Sequence, residues 1–202
     1  MRIISYIILL MLMSSCSLLK KPHSDVLKAQ IAPHVFVPLL KPAQLHESIN
    51  VSQLITVDRP GQKQKKLLVQ LQVDPQHVVL AGFSAWGARL LSVEYSGTKI
   101  KTYVIFGLSE QLPKPKQVLF NMMLAIWPVA AWQAPLQKIG WKIQEKHLQR
   151  ILLDENNHVV VKIVYQKTPY LKGDILFENI PLHYKIKIET QQKTVKLRPY
   201  QT

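Results

Sequence analysis

Few residues in this 202-residue sequence could do chemistry, and their spacing narrows what that chemistry is. Gly82-Phe83-Ser84-Ala85-Trp86-Gly87 approaches the glycine-flanked serine of a nucleophile elbow, but the second glycine falls one residue late. The flanking period-two runs also predict a hairpin there, not the strand-to-helix turn that exposes such a serine. The seven histidines, His23, His34, His46, His77, His147, His158 and His183, show no HExxH or other short metal-ligand spacing and read as surface residues. Asp154-Glu155 lie in a predicted turn and Glu94 in a predicted strand, so sequence neighbours supply no general acid and base pair. Cys16 is the only cysteine, which excludes an internal disulfide. None of these patterns proposes a catalytic residue, a metal or a cofactor, and the expectation is a non-enzymatic protein.

The context of Cys16 gives it a different use. Met1-Arg2 is followed by an apolar stretch from Ile3 to Met13 broken only by Ser5, then by Ser14-Ser15-Cys16. That is the order of basic region, apolar region and small-residue cleavage site in a secretory signal. It resembles the lipobox of bacterial lipoproteins, with Met13 where Leu is usual. The resemblance implies a signal peptide over 1–15, Cys16 as the acylated lipid anchor and, with Ser17 following in place of Asp, an outer-membrane protein facing the periplasm. Stable anchoring takes two signals, each buried methylene adding about 0.8 kcal/mol. Residues 16–33 are polar and punctuated by proline, and read as a tether. A single domain over 34–202 is expected, and no apolar run is long enough for a membrane-spanning helix.

Twenty-six Lys and Arg against 12 Asp and Glu give a formal charge of +14, which attracts anionic surfaces of any kind. Nucleic acid is not the expected partner: the lysines alternate singly with apolar residues, as in Lys185-Ile186-Lys187-Ile188, the way a strand writes its solvent face. A monomer is expected.

The elements follow from periodicity. Period-two runs at 51–57, 67–73, 77–82, 89–95 and 99–106, separated by short turn-forming segments, predict an antiparallel meander. Alternation then stops. Residues 117–127 are almost continuously apolar, Pro128 suits the first turn of a second helix, and 129–138 completes a helical hairpin before Gly140. Strands resume at 148–153, 159–165, 175–180 and 184–190. The sum is a mainly β fold: about 9–11 antiparallel strands in a strongly curled sheet, a half-open barrel with an apolar helical hairpin as its lid.

Two apolar features exceed what a core needs. Phe83 and Trp86 fall at a hairpin tip, which is normally polar, so they are candidates for insertion into a membrane or contact with a partner, unless the tip folds back onto the core. The first helix is apolar around most of its circumference, which implies burial on two sides or contact with a greasy ligand. With the inward strand positions, the candidate ligand-binding residues are Val69, Leu71, Val93, Phe120, Met123, Trp127, Trp132, Val161, Ile163 and Tyr165.

Three stretches carry a resemblance: LAGFSAWGARLLSVEYSG (80–97), LFNMMLAIWPVAAWQ (119–133) and GDILFENIPLHYKIKIET (173–190). With the lipobox and the order of parts, they resemble the lipoprotein family of aryl polyene biosynthesis clusters in Gram-negative bacteria, itself similar to the outer-membrane lipoprotein receptor LolB and its carrier LolA. The resemblance implies a LolA/LolB-like open barrel holding acyl or polyene chains, fed by a LolA-like periplasmic carrier. Trp86 before Gly87 would be the membrane-engaging residue at the inner leaflet of the outer membrane. The expected function is binding of a hydrophobic lipid or lipidated cargo and its transfer to that membrane. The alternatives are an acyl-processing or hydrolytic pathway enzyme and a ligand-free assembly lipoprotein.

Overall fold

A computed structural model describes residues 26–106 and 113–196. Cys16, the expected signal segment and the start of the expected tether lie outside the described residues. The chain opens with a two-stranded hairpin, β1 (Lys28–Ala32) and β2 (Val35–Pro38). A meander follows: β3 (Ser48–Asp58), β4 (Lys65–Val73), β5 (Val78–Phe83), β6 (Arg89–Tyr95) and β7 (Ile100–Val104). The helices α1 (Pro115–Ile126) and α2 (Val129–Gln137) come next, then a second meander of β8 (Lys142–Lys146), β9 (Gln149–Leu153), β10 (Val159–Tyr165), β11 (Ile175–Asn179) and β12 (Tyr184–Lys196).

The ten strands β3 to β12 form one antiparallel sheet in the order β7-β6-β5-β4-β3-β12-β11-β10-β9-β8. Every neighbour in it is a sequence neighbour except the central pair β3 and β12, where Val57 faces Ile186 and Ile55 faces Ile188. The edges β7 and β8 do not pair, so the sheet is curled and open, the half-barrel expected from the sequence. The helical hairpin is inserted between those two edge strands and crosses the concave face.

Alternation explains which residues fill that face. On β4, Val69, Leu71 and Val73 are buried while Gln70 and Gln72 point out; on β12, Tyr184 and Ile188 are buried while Lys185 and Lys187 take the solvent side. Lys187 pairs with Asp174 and Glu189 at 3.3 and 2.8 Å, and Lys185 with Glu178 at 3.1 Å, so the alternating lysines form a solvated outer face.

Three strands escape the sequence reading. β1 occupies the end of the expected tether and β2 the start of the expected domain, so structured chain begins before Pro33. Their burial is tertiary: Ile31 and Val37 are fully enclosed in the cluster that holds α1 and α2, and Asn179 Nδ2 donates to the Ile31 carbonyl at 3.0 Å. A five-residue segment with no turn signal of its own carries too little periodicity to announce this. β8 reads Lys-Ile-Gln-Glu-Lys and is mostly exposed, as an edge strand bearing charges is.

Among the described residues, four of the five non-glycine residues with left-handed φ are histidines: His34, His46, His147 and His183, at φ between 51° and 63°. They occupy turns, where His is tolerated in that region better than β-branched residues.

Candidate functional site

The concave face is filled over one half and hollow over the other. Under β8 to β11 it is solid. Arg150, only 1% exposed, donates from Nη1 to the carbonyls of Leu124 and Trp127 at 2.6 and 2.8 Å, and from Nε to Glu145 Oε2 at 2.7 Å. Tyr165 donates its hydroxyl to the Ala125 carbonyl at 2.8 Å, and Trp127 Nε1 donates to the Lys41 carbonyl at 3.2 Å. The unpaired carbonyls at the C-terminal end of α1 are thus satisfied by the second meander, and that end of the helix is fixed. Burial raises the Tyr165 phenol well above the ordinary tyrosine range, so it remains a donor.

Under β3 to β7 and the centre of the sheet lies a cavity of about 560 Å³. Its walls are Ile55 and Val57 of β3, Leu67, Val69 and Leu71 of β4, Leu80 of β5, Leu91 and Val93 of β6, and Val104 of β7. Phe177 of β11 and Tyr184, Ile186 and Ile188 of β12 close the far side, while Gln117, Val118, Asn121 and Met122 of α1 form the roof. Among the described lining residues there is no carboxylate and no histidine.

The roof is helical because its lining residues recur at i, i+1, i+4 and i+5, one face of α1. The opposite face carries Phe120, Met123 and Trp127 into the packed side, where the Phe120 and Trp132 rings meet edge to face at 5.5 Å. Of the expected ligand-binding residues, the structure therefore brings together Val69, Leu71 and Val93 at the cavity. Phe120, Met123, Trp127, Trp132, Val161, Ile163 and Tyr165 are enclosed in the core and do not line it. Periodicity shows that a helix is apolar on two sides; it does not show which side meets a void.

A hydrogen-bonded polar cluster faces the hollow. Asn121 Oδ1 accepts from the Tyr184 hydroxyl at 2.9 Å and from Gln117 Nε2 at 3.0 Å. Burial raises the Tyr184 phenol above its ordinary range, against the lowering effect of its hydrogen bonds to Asn121 and Gln117. The polar groups of this roof are neutral donors and acceptors.

Gly82 marks how close the wall is. A side chain there would meet Leu67 Cδ2 at 2.7 Å and Leu91 Cγ at 3.0 Å, both residues of the cavity wall.

The mouth lies at one end of the sheet, where the turn between β3 and β4 approaches the start of α1. It is lined by Arg59, Gln62, Lys63, Lys65 and Lys114. The Arg59 guanidinium carbon sits 5.7 Å from the centroid of the Tyr184 ring. These residues did not figure in the sequence reading, although the signal was present: Arg59-Pro60-Gly61-Gln62-Lys63-Gln64-Lys65-Lys66 puts four cations and no acid into eight residues of a turn.

The β5–β6 hairpin ends at the same edge of the sheet, since Phe83 pairs with Leu68 and Arg89. Its tip is closed by Ser84, whose backbone N–H donates to the Ala88 carbonyl at 2.9 Å and whose Oγ accepts from the Ala88 N–H at 3.1 Å. Ser84 is thus a turn-closing residue. Gly87 takes φ +83°, and the turn leaves Trp86 84% exposed. Phe83 is half-buried on β5, on the outer face beside exposed Leu68, and so stands behind the tip.

Residues 50–192 match the protein family of unknown function DUF3261. The chain belongs to that family. All the residues that line the cavity of this DUF3261 protein fall inside the matched segment, and the β1–β2 hairpin falls outside it. No curated protein sequence matches the chain. Among solved structures it is similar to a LolA superfamily protein from Nitrosomonas europaea, with 8% identity, a TM-score of 0.44 and coverage of 78% of this chain and 91% of that one. It is also similar to a putative outer membrane lipoprotein-sorting protein domain from Vibrio parahaemolyticus, with 9% identity, a TM-score of 0.36 and coverage of 78% and 88%. A third similarity is to a chain of the MucA/MucB complex of Pseudomonas aeruginosa, with 12% identity, a TM-score of 0.32 and coverage of 80% and 56%. In this DUF3261 chain no group of three or more His, Cys, Asp or Glu that could hold a metal ion occurs among the described residues.

Proposed function

We propose that the protein is a lipid-binding lipoprotein of the outer membrane, anchored through Cys16 and facing the periplasm. It takes the apolar chain of a lipid or lipidated cargo into its cavity and delivers it to the inner leaflet. The observation that carries this reading is the unfilled apolar space of about 560 Å³ between the curled sheet and α1. That volume lies within the roughly 300–1,000 Å³ usual for small-molecule sites. An empty apolar void of this size forfeits packing, whereas a bound chain restores it: eight buried methylenes would contribute roughly 6 kcal/mol before the losses of binding.

Delivery follows from the arrangement at the mouth. The cavity opens at the end of the sheet that carries the exposed Trp86, so a tip seated in the headgroup region brings the opening to the membrane surface. A soluble LolA-like carrier is the proposed donor. The sequence resemblance to lipoproteins of aryl polyene clusters nominates a lipid-linked polyene as one cargo to test.

Native mass spectrometry of the full chain, purified from the membranes of its own host, tests the reading. The expected result is a co-purifying lipid that Val69→Phe, which fills the wall, displaces. A chain that carries no lipid and takes up no long-chain probe would overturn it.

A further inference from the structure

We propose that the cavity is built for an amphiphile with an anionic headgroup, a carboxylate or a phosphate, held at the mouth by Arg59, Lys63 and Lys114. This rests on the reading above that the hollow takes an apolar chain, and adds what that chain must carry.

Polarity along the lining is segregated. The walls are mostly apolar, with neutral polar groups at Gln53, Thr102, Gln117, Asn121 and Tyr184, and the cations are confined to one end, at the turn between β3 and β4 and the start of α1. On the outer face of the sheet Lys187 is matched with Asp174 and Glu189, Lys185 with Glu178 and Lys101 with Glu94, while other surface lysines such as Lys162 stand singly in solvent among the described residues. At the mouth no carboxylate is among the described lining residues, and Arg59, Lys63 and Lys114 form no ion pair among the described residues. Like charges that line one opening repel one another, and a bound anion relieves that repulsion where a neutral headgroup does not.

Arg59 is also placed. Its guanidinium rests over the Tyr184 ring, and the Tyr184 hydroxyl donates to Asn121 Oδ1 at 2.9 Å on the cavity roof. The contact with one ring face leaves the fork of N–H donors open to a carboxylate or phosphate. Lys114 immediately precedes α1, whose first turn has no side-chain cap and no acidic residue, so the positive end of the helix dipole adds to the same field. A chain entering tail first would leave its headgroup at this ring of charge.

Calorimetric titration of the full chain with four probes tests the proposal: hexadecanoate, hexadecyl phosphate, hexadecanol and inorganic phosphate. Both long-chain anions are expected to bind about tenfold tighter than the alcohol, with inorganic phosphate far weaker than either. The preference should shrink with added salt, as screened charges require. In the triple variant R59Q/K63Q/K114Q the preference should vanish while hexadecanol binds as before, which also shows that the variant folds. Equal affinity for anion and alcohol in the natural chain, or a preference that survives in the triple variant, would overturn the headgroup assignment and leave the cavity reading standing. Tight binding of inorganic phosphate would replace the amphiphile with a free anion. If none of the long-chain probes binds, the cavity reading itself fails and the headgroup assignment fails with it.

Discussion

Arg150 shows how one side chain keeps half of the concave face solid. Its guanidinium is shared among Glu145 and two helix carbonyls, and its charge lies near the rings of Tyr165 and Tyr170 at 5.7 Å each. Removing it strands those carbonyls in a dry interior. Arg150→Met is therefore expected to destabilise the protein by about 3–5 kcal/mol, read as a lowered denaturation midpoint with an unchanged slope. Trp86 is the opposite case, since nothing in the fold depends on an indole that is 84% exposed. Trp86→Glu should shift stability by less than about 0.5 kcal/mol. Co-sedimentation with lipid vesicles should nonetheless fall severalfold, and delivery of a preloaded chain to them should stop; undiminished delivery would end the role assigned to the tip. The sequence made Trp86 legible because a large aromatic beside a glycine in a turn has no ordinary reason to be there. It could not make Arg150 legible, because a lone arginine in an alternating strand looks like any solvent-facing cation until a helix end is found above it.

The two ends of α1 are held unequally, and its behaviour follows from that. At the C-terminal end Arg150, Tyr165 and Trp127 tie the helix to three separate segments; at the N-terminal end Lys114 provides no side-chain cap, and the first turn roofs a hollow. Local opening free energy should rise along the helix accordingly. Hydrogen exchange should find the amides of Val118 and Leu119 opening well before those of Ile126 and Trp127, with a bound chain slowing the early pair and leaving the late pair unchanged. Uniform protection would argue against α1 as the moving lid. The helical hairpin itself was readable from sequence, since an apolar run without alternation, then Pro128, then Gly140, admits little else. Its assignment to the ligand was only half readable: the face with Val118 and Met122 meets the void, and the face with Phe120 and Met123 meets core.

The two meanders are each local in sequence, and only the β3–β12 seam joins them. The alternation that wrote each meander was visible strand by strand, yet nothing in it announced the seam, because pairing between distant strands leaves no short-range trace. The same limit hid the β1–β2 hairpin, whose core packing depends on distant segments, as the bond from Asn179 to Ile31 across 148 residues illustrates. That seam also fixes an order of events. Four of the residues that enclose the hollow, Phe177, Tyr184, Ile186 and Ile188, belong to the second meander, so a polypeptide that has made only the first meander owns a sheet but not yet a container. On the proposed reading, an apolar chain can be held only once both meanders are joined at the seam.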